Sequence, residues 1–157
     1  MRHTISVLVE NKFGVLTRIA GLFSGRGFNI DTLNVAPTYA DDTSCMTIVT
    51  QGDDATLVQI VRQFNKLPEV LDVQDFREQM HVDRELVLIK VNADSKSRSE
   101  VMQITDIFRA KIIDVHPNSL TIEVTGSEGK ISKFIDLMSR FGIRALTRTG
   151  TVALPRA

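Results

Sequence analysis

Apolar residues recur at helical spacing four times along the chain. Leu16, Ile19, Ala20 and Phe23 sit at i, i+3, i+4 and i+7. The same spacing holds for Leu57, Ile60, Val61 and Phe64, and for Ile131, Phe134, Ile135 and Met138. A fourth stripe, Val101, Ile104 and Phe108, differs only in having Thr105 at the i+4 place. Each stripe is one apolar face, which predicts helices lying on a sheet rather than buried all round. Strand-like alternation fills the intervals. His3, Ile5, Val7 and Val9 point one way, with Thr4 and Ser6 opposite. Residues 30–36 and 44–51 are β-branched runs joined by the turn Pro37-Thr38-Tyr39-Ala40-Asp41-Asp42, and residues 70–76 close the set. Gly25 and Gly27 end the first helix, Gly52-Asp53 opens the second, and Pro68 stops it.

The second half repeats the order. A strand over 85–93, a helix over 99–110, a hairpin of 112–115 with 120–125 around Pro117-Asn118, a helix over 130–140 ended by Gly142, and a strand over 143–149 follow one another. The expected architecture is α+β, with two ferredoxin-like βαββαβ units in tandem at 1–77 and 84–157, joined by a linker at 78–83. Right-handed crossovers give each unit an antiparallel sheet with both helices on one face. Units this small bury only about 60% of their unfolded surface, so a partner surface is expected on the exposed sheet faces or edges.

Composition narrows the class. The 157 residues are 43% apolar and 24% charged, enough apolar surface to exclude disorder as the main state. Residues 1–77 hold seven basic and nine acidic side chains, a net of −2, and the remainder a net of +2. Neither half is a polycation, so neither nucleic acid nor an anionic membrane is an expected partner. Cys45 is the lone cysteine, which excludes an internal disulfide and a cysteine-based zinc cluster. No apolar run approaches the ~18 residues of a membrane span, and strand-like alternation begins at once rather than after a leader. A cytoplasmic protein is expected.

Catalytic motifs fail on inspection. Gly25-Arg26-Gly27 follows a helix and opens a strand, the reverse of a dinucleotide fingerprint, and Ile30 stands where the third glycine belongs. Gly129-Lys130 resembles the end of a P-loop, but Val124 replaces the earlier glycine and Ile131 the magnesium-binding hydroxyl. Ser24 is one place off a nucleophile elbow. His3, His81 and His116 lack metal-ligand spacing, and Asp41-Asp42 and Asp53-Asp54 have ready roles in turns and helix starts. The strands that would stack bases in an RNA-binding βαββαβ module carry no aromatic residue around 5–9, 46–49 or 120–125. No metal site and no catalytic group is expected.

One turn remains. Glu10-Asn11-Lys12-Phe13-Gly14-Val15-Leu16 joins the first strand to the first helix. Free amides of Gly14, Val15 and Leu16 at a helix start can hold a carboxylate without a basic residue. Asn11 offers both a donor and an acceptor. A capped turn, with Asn11 near the cap and Gly14 easing the bend, explains the same residues without a ligand. Asn29 and Ile30 begin the second strand, and Asn29 is expected at the same end of the unit as the turn. If two copies pair through that strand, Asn29 of one faces the 11–16 turn of the other, a site for a zwitterion. A turn residue at the helix-to-strand corner is the plainer alternative.

The stretches Ile5-Ser6-Val7-Leu8-Val9-Glu10-Asn11-Lys12-Phe13-Gly14-Val15-Leu16 and Gly21-Leu22-Phe23-Ser24-Gly25-Arg26-Gly27-Phe28-Asn29-Ile30 resemble an amino-acid-binding ACT domain. More closely, they are similar to the family of acetolactate synthase (acetohydroxyacid synthase) regulatory small subunits. Leu33-Asn34-Val35-Ala36-Pro37-Thr38, Arg84-Glu85-Leu86, Phe108-Arg109-Ala110-Lys111-Ile112-Ile113-Asp114-Val115 and Arg148-Thr149-Gly150 extend the likeness over essentially the whole chain.

The resemblance implies a non-catalytic subunit that activates a catalytic large subunit and confers feedback inhibition by branched-chain amino acids, chiefly valine. It implies a homodimer through the ACT domain, with effector contacts at Asn11, Gly14, Val15, Leu16, Asn29 and Ile30. It implies no cofactor here, with thiamine diphosphate, magnesium and FAD on the catalytic partner. The second unit has Asn92-Ala93-Asp94-Ser95-Lys96-Ser97-Arg98 in place of the glycine turn, so a structural or docking role is expected for it. A free-standing tandem-ACT amino-acid sensor is the alternative.

Overall fold

A computed structural model describes residues 1–77 and 79–157 of the chain. The first unit opens with β1 (Arg2–Glu10), α1 (Val15–Ser24), β2 (Ile30–Pro37), β3 (Thr43–Gln51), α2 (Asp54–Asn65) and β4 (Val70–Asp75). The second follows with β5 (His81–Asn92), α3 (Arg98–Ile107), β6 (Lys111–His116), β7 (Ser119–Gly126), α4 (Glu128–Ser139) and β8 (Ile143–Arg148), and β9 (Val152–Pro155) ends the chain. The strand orders are β2-β3-β1-β4 and β6-β7-β5-β8, the same topology twice, as the repeated pattern predicts. All pairings within these orders are antiparallel.

Each unit has its own core. In the first, Ile5, Val7 and Val9 of β1 and Met46 and Ile48 of β3 meet Val15, Ile19 and Phe23 of α1 and Leu57, Ile60 and Phe64 of α2. The rings of Phe23 and Phe64 lie 5.6 Å apart where the helices meet. In the second, Val87, Ile89 and Val91 meet Val101, Ile104, Ile131, Phe134 and Met138. Thr105, the polar residue in the third helix's stripe, is buried and donates its hydroxyl to the Val101 carbonyl at 2.8 Å. That bond satisfies the hydroxyl, so the helix face survives a threonine at an apolar position.

Three expectations change. The buried stripe of α1 starts at Val15, and Leu16 is 43% exposed. The helix begins one residue earlier than its apolar spacing suggested, because Gly14 turns the chain as the N-cap. Glu78, the first residue of the expected linker at 78–83, lies outside the described residues, and His81, Val82 and Asp83 are strand residues of β5. By backbone contacts the compact units are Met1–Val82 with Thr151–Ala157, and Asp83–Gly150. The last seven residues, expected in the second unit, therefore group with the first. Among them, β9 pairs with β5.

Candidate functional site

β1 runs out at Glu10, opposite Thr43 at the start of β3. Asn11 ties this corner together: its backbone N–H donates to the Asp42 carbonyl at 2.8 Å and its side-chain Nδ2 to the Asp41 carbonyl at 3.0 Å. One of the two Nδ2 hydrogens is thereby committed to the turn between β2 and β3, and the carboxamide oxygen and the second N–H are left for a ligand. Nothing in the side chains of Asp41 and Asp42 signals this tie, because both contribute backbone carbonyls. Lys12 Nζ lies 2.9 Å from Glu10 Oε2, and the hydrogen bond it donates to Glu10, with that carboxylate's charge, holds the ammonium above the ordinary lysine range. Arg18 on α1 pairs with Glu69, which lies just ahead of β4.

Gly14 is the N-cap of α1 at φ +85°, a left-handed conformation that L side chains rarely adopt. Among the described residues no side chain caps this helix. A Cβ at Gly14 would meet nothing within 4 Å, so the space before the helix is open. The first-turn N–H groups, which have no intrahelical acceptor, face that space. Val15 is buried in the core, so it can offer a ligand only its backbone, whereas Leu16 stands partly exposed at the rim.

Asn29 is exposed, with Nδ2 3.2 Å from Asp31 Oδ1, and its carbonyl accepts the Thr50 hydroxyl at 2.6 Å. Ile30 is half-buried and pairs with Thr50. The register corrects the expected placement. The 11–16 turn lies at the Thr43 end of β3 and Asn29 at the Thr50 end, a separation of about 23 Å along the strand at 3.3 Å per residue. The cause is the parallel crossover: β1 and β2 both run antiparallel to β3 and so parallel to each other, which puts the end of one and the start of the other at opposite ends of the sheet. One copy does not bring the two clusters together.

The equivalent turn of the second unit is closed on itself. Asp94 Oδ1 accepts the N–H groups of Lys96 and Ser97, each at 2.9 Å, and the Ser97 hydroxyl at 3.0 Å. Hydrogen bonds from Ser97, then from Lys96, hold the Asp94 carboxyl below its usual range. Where α1 leaves its approach open, α3 is preceded by a carboxylate of its own. Among the described residues no three His, Cys, Asp or Glu side chains gather as a metal site would need, and no helix is long and apolar enough to cross a membrane.

Two ferredoxin-like units, the first carrying an uncapped glycine turn, define a regulatory chain of the ACT type. Residues 5–72 match the model of the acetohydroxyacid synthase small subunit-like ACT domain, and residues 84–157 match that of the small subunit of acetolactate synthase. A probable acetolactate synthase small subunit of Archaeoglobus fulgidus is 54% identical over 156 residues, covering 99% of this chain and 98% of that one. The acetolactate synthase small subunit of Mycobacterium bovis is 49% identical, covering 98% and 92%. The crystal structure of the Thermotoga maritima small subunit superposes with a TM-score of 0.90 at 40% identity, covering 100% of this chain and 98% of that one. The chain belongs to the acetolactate synthase small-subunit family. It is a regulatory subunit, not the catalytic chain.

Proposed function

We propose that this chain activates an acetolactate synthase catalytic subunit and makes it sensitive to valine, bound between two copies of the first unit. What supports the reading is the register. Two clusters matching the family's effector motif stand about 23 Å apart in one copy, at opposite ends of the sheet. β2 is an edge strand, so a second copy can add antiparallel along it. Two-fold pairing of that kind turns the partner's Asn29 and Ile30 toward the end that carries Asn11, Gly14, Val15 and Leu16.

The α1 amides then take the effector's carboxylate, the carboxamide oxygen of Asn11 its ammonium, and Leu16 with the second copy's Ile30 its branched side chain. Effector binding falls to the first unit, and docking or a structural role to the second. Thiamine diphosphate, magnesium and FAD stay with the catalytic partner in the cytoplasm, and this chain needs none of them. The test is reconstitution with the catalytic chain. Acetolactate formation should rise on adding this chain and fall when valine is titrated in. Activation without any response to valine, leucine or isoleucine would remove the effector role and leave the activating one.

A further inference from the structure

The second unit contains a cavity of about 540 Å³ lined by Asn92, Asp94, Ser97, Asn118, Arg140, Phe141 and Arg144. Its three walls are braced to one another. Arg98 donates to the carbonyls of Ala93 at 3.1 Å and Pro117 at 2.9 Å, tying the β5–α3 turn to the β6–β7 hairpin. The Asn92 N–H donates to the Gly142 carbonyl at 2.9 Å, and Arg144 donates through Nε to Asn92 Oδ1, tying β5 to the α4–β8 corner. Gly142, at φ +95°, permits that approach, since a Cβ there would sit 2.4 Å from Asn92 Nδ2.

The charges in this frame are unbalanced. Among the described residues Arg144 bonds only to neutral groups, Asn92 and, through Nη2, the Asn118 carbonyl at 3.5 Å. The Arg140 guanidinium has no hydrogen bond or ion pair among the described residues, the residue's backbone N–H donating to the Met138 carbonyl. The one carboxylate in the lining, Asp94, has Oδ1 committed to Lys96 and Ser97. Two guanidinium groups against one carboxylate leave a net positive, preformed cleft with an aromatic wall at Phe141. The volume is that of an organic ligand rather than of a bare inorganic ion.

We propose that this cavity is an anion site of the second unit, taking a small organic phosphate or carboxylate. Its oxygens lie against Arg140 and Arg144, and its body lies on Phe141. Guanidinium donors suit both oxyanions, which they bind through paired N–H groups.

The probes are phenyl phosphate, benzoate and phenol, which share a ring and differ in the charged group. With the full chain, at least one of the two anions should raise the melting temperature and shift the backbone NMR signals of residues 92–97 and 140–144. Whichever anion binds more tightly identifies the natural headgroup. Phenol should do neither. Arg140→Gln, which breaks no bond of the fold, should keep the unliganded melting temperature and weaken anion binding at least tenfold, with partial recovery in Arg140→Lys. Three results would each overturn the proposal: no response to either anion at tens of millimolar, equal affinity in Arg140→Gln, or equal binding of phenol. If Arg140→Gln instead lost only assembly with the catalytic chain, the arginines would belong to a protein interface and not to a ligand site.

Discussion

Arg148 on β8 grips Glu85 on β5 in a two-pronged ion pair, Nε to Oε1 and Nη2 to Oε2 at 3.2 Å. Glu85 is only 3% exposed, so its charge depends on this partner. The hydrogen bonds that Arg148 donates to Glu85 in turn raise its guanidinium above its ordinary value. Arg148→Ala should destabilise the chain by about 1–3 kcal/mol, between the value of an exposed pair and that of breaking a fully buried one, because the arginine's outer face is solvated. Replacing both residues by leucine should recover most of the loss. Urea unfolding of the single and double variants checks this, and an additive double variant would sink the coupling.

That pair also shows what a sequence reveals and what it hides. Glu85 stands at the start of an obvious strand and Arg148 near the end of another, 63 residues apart, and no local pattern joins them. The helices were legible because the contacts that shape an amphipathic face repeat every three or four residues. The strand order was legible because the βαββαβ pattern recurs. The placement of Asn29 differs from the expectation, since strand direction and register decide which end of a sheet a residue reaches. Leu16 was misassigned to the core because one residue of helix phase separates it from Val15. The Asn11 tie was invisible because it ends on the backbone of Asp41 and Asp42.

Gly14→Asp should abolish valine inhibition while leaving activation largely intact. Aspartate is a favoured N-cap residue, so its carboxylate would take the α1 amides that the effector's carboxylate needs. Gly14→Ala meets the backbone penalty of φ +85°, about 1 kcal/mol, and its methyl touches no neighbour and brings no group that could bond the α1 amides. Half-inhibition should therefore move at least tenfold in Gly14→Asp and much less in Gly14→Ala. Inhibition curves on the reconstituted enzyme separate the two, and equal shifts would mean that strain alone is at work.

Acid should weaken α2 in a predictable sense. Asp53 accepts the Thr56 N–H at 2.8 Å as the N-cap, and the hydrogen bonds from Thr56 hold its carboxyl below the ordinary 3.8. A carboxyl depressed by folding contributes stability above its unfolded pKa, and that contribution is lost as pH falls through the lower folded value. The melting-temperature gap between wild type and Asp53→Ala should be a few degrees near neutrality and shrink below about pH 4. A gap independent of pH would assign the effect to packing.

The chain's last seven residues should stabilise the first unit, although the sequence alone groups them with the second. Thr151–Ala157 cluster by backbone contact with Met1–Val82. Thr151 and Ala153 are buried, at 4% and 8% exposure, and the Arg156 N–H donates to the Met80 carbonyl at 2.8 Å. Arg2 reaches the Thr151 hydroxyl at 3.4 Å. Deleting 151–157 removes a strand pairing and uncovers backbone groups around Met80 that then exchange with solvent. Amide exchange at residues 2–4 and 80–82 should accelerate in the truncated chain. Amides of Val87, Ile89 and Ile122, which belong to the other core, should keep their protection. The pattern had not marked the segment because β9 is only four residues long and its partner strand starts some 70 residues earlier, so neither periodicity nor turn spacing points to it. For the same reason a fragment ending at Arg77 lacks this strand and should melt below the full chain. Exchange rising throughout β6 to β8 while residues 2–4 stay protected would return the tail to the second unit.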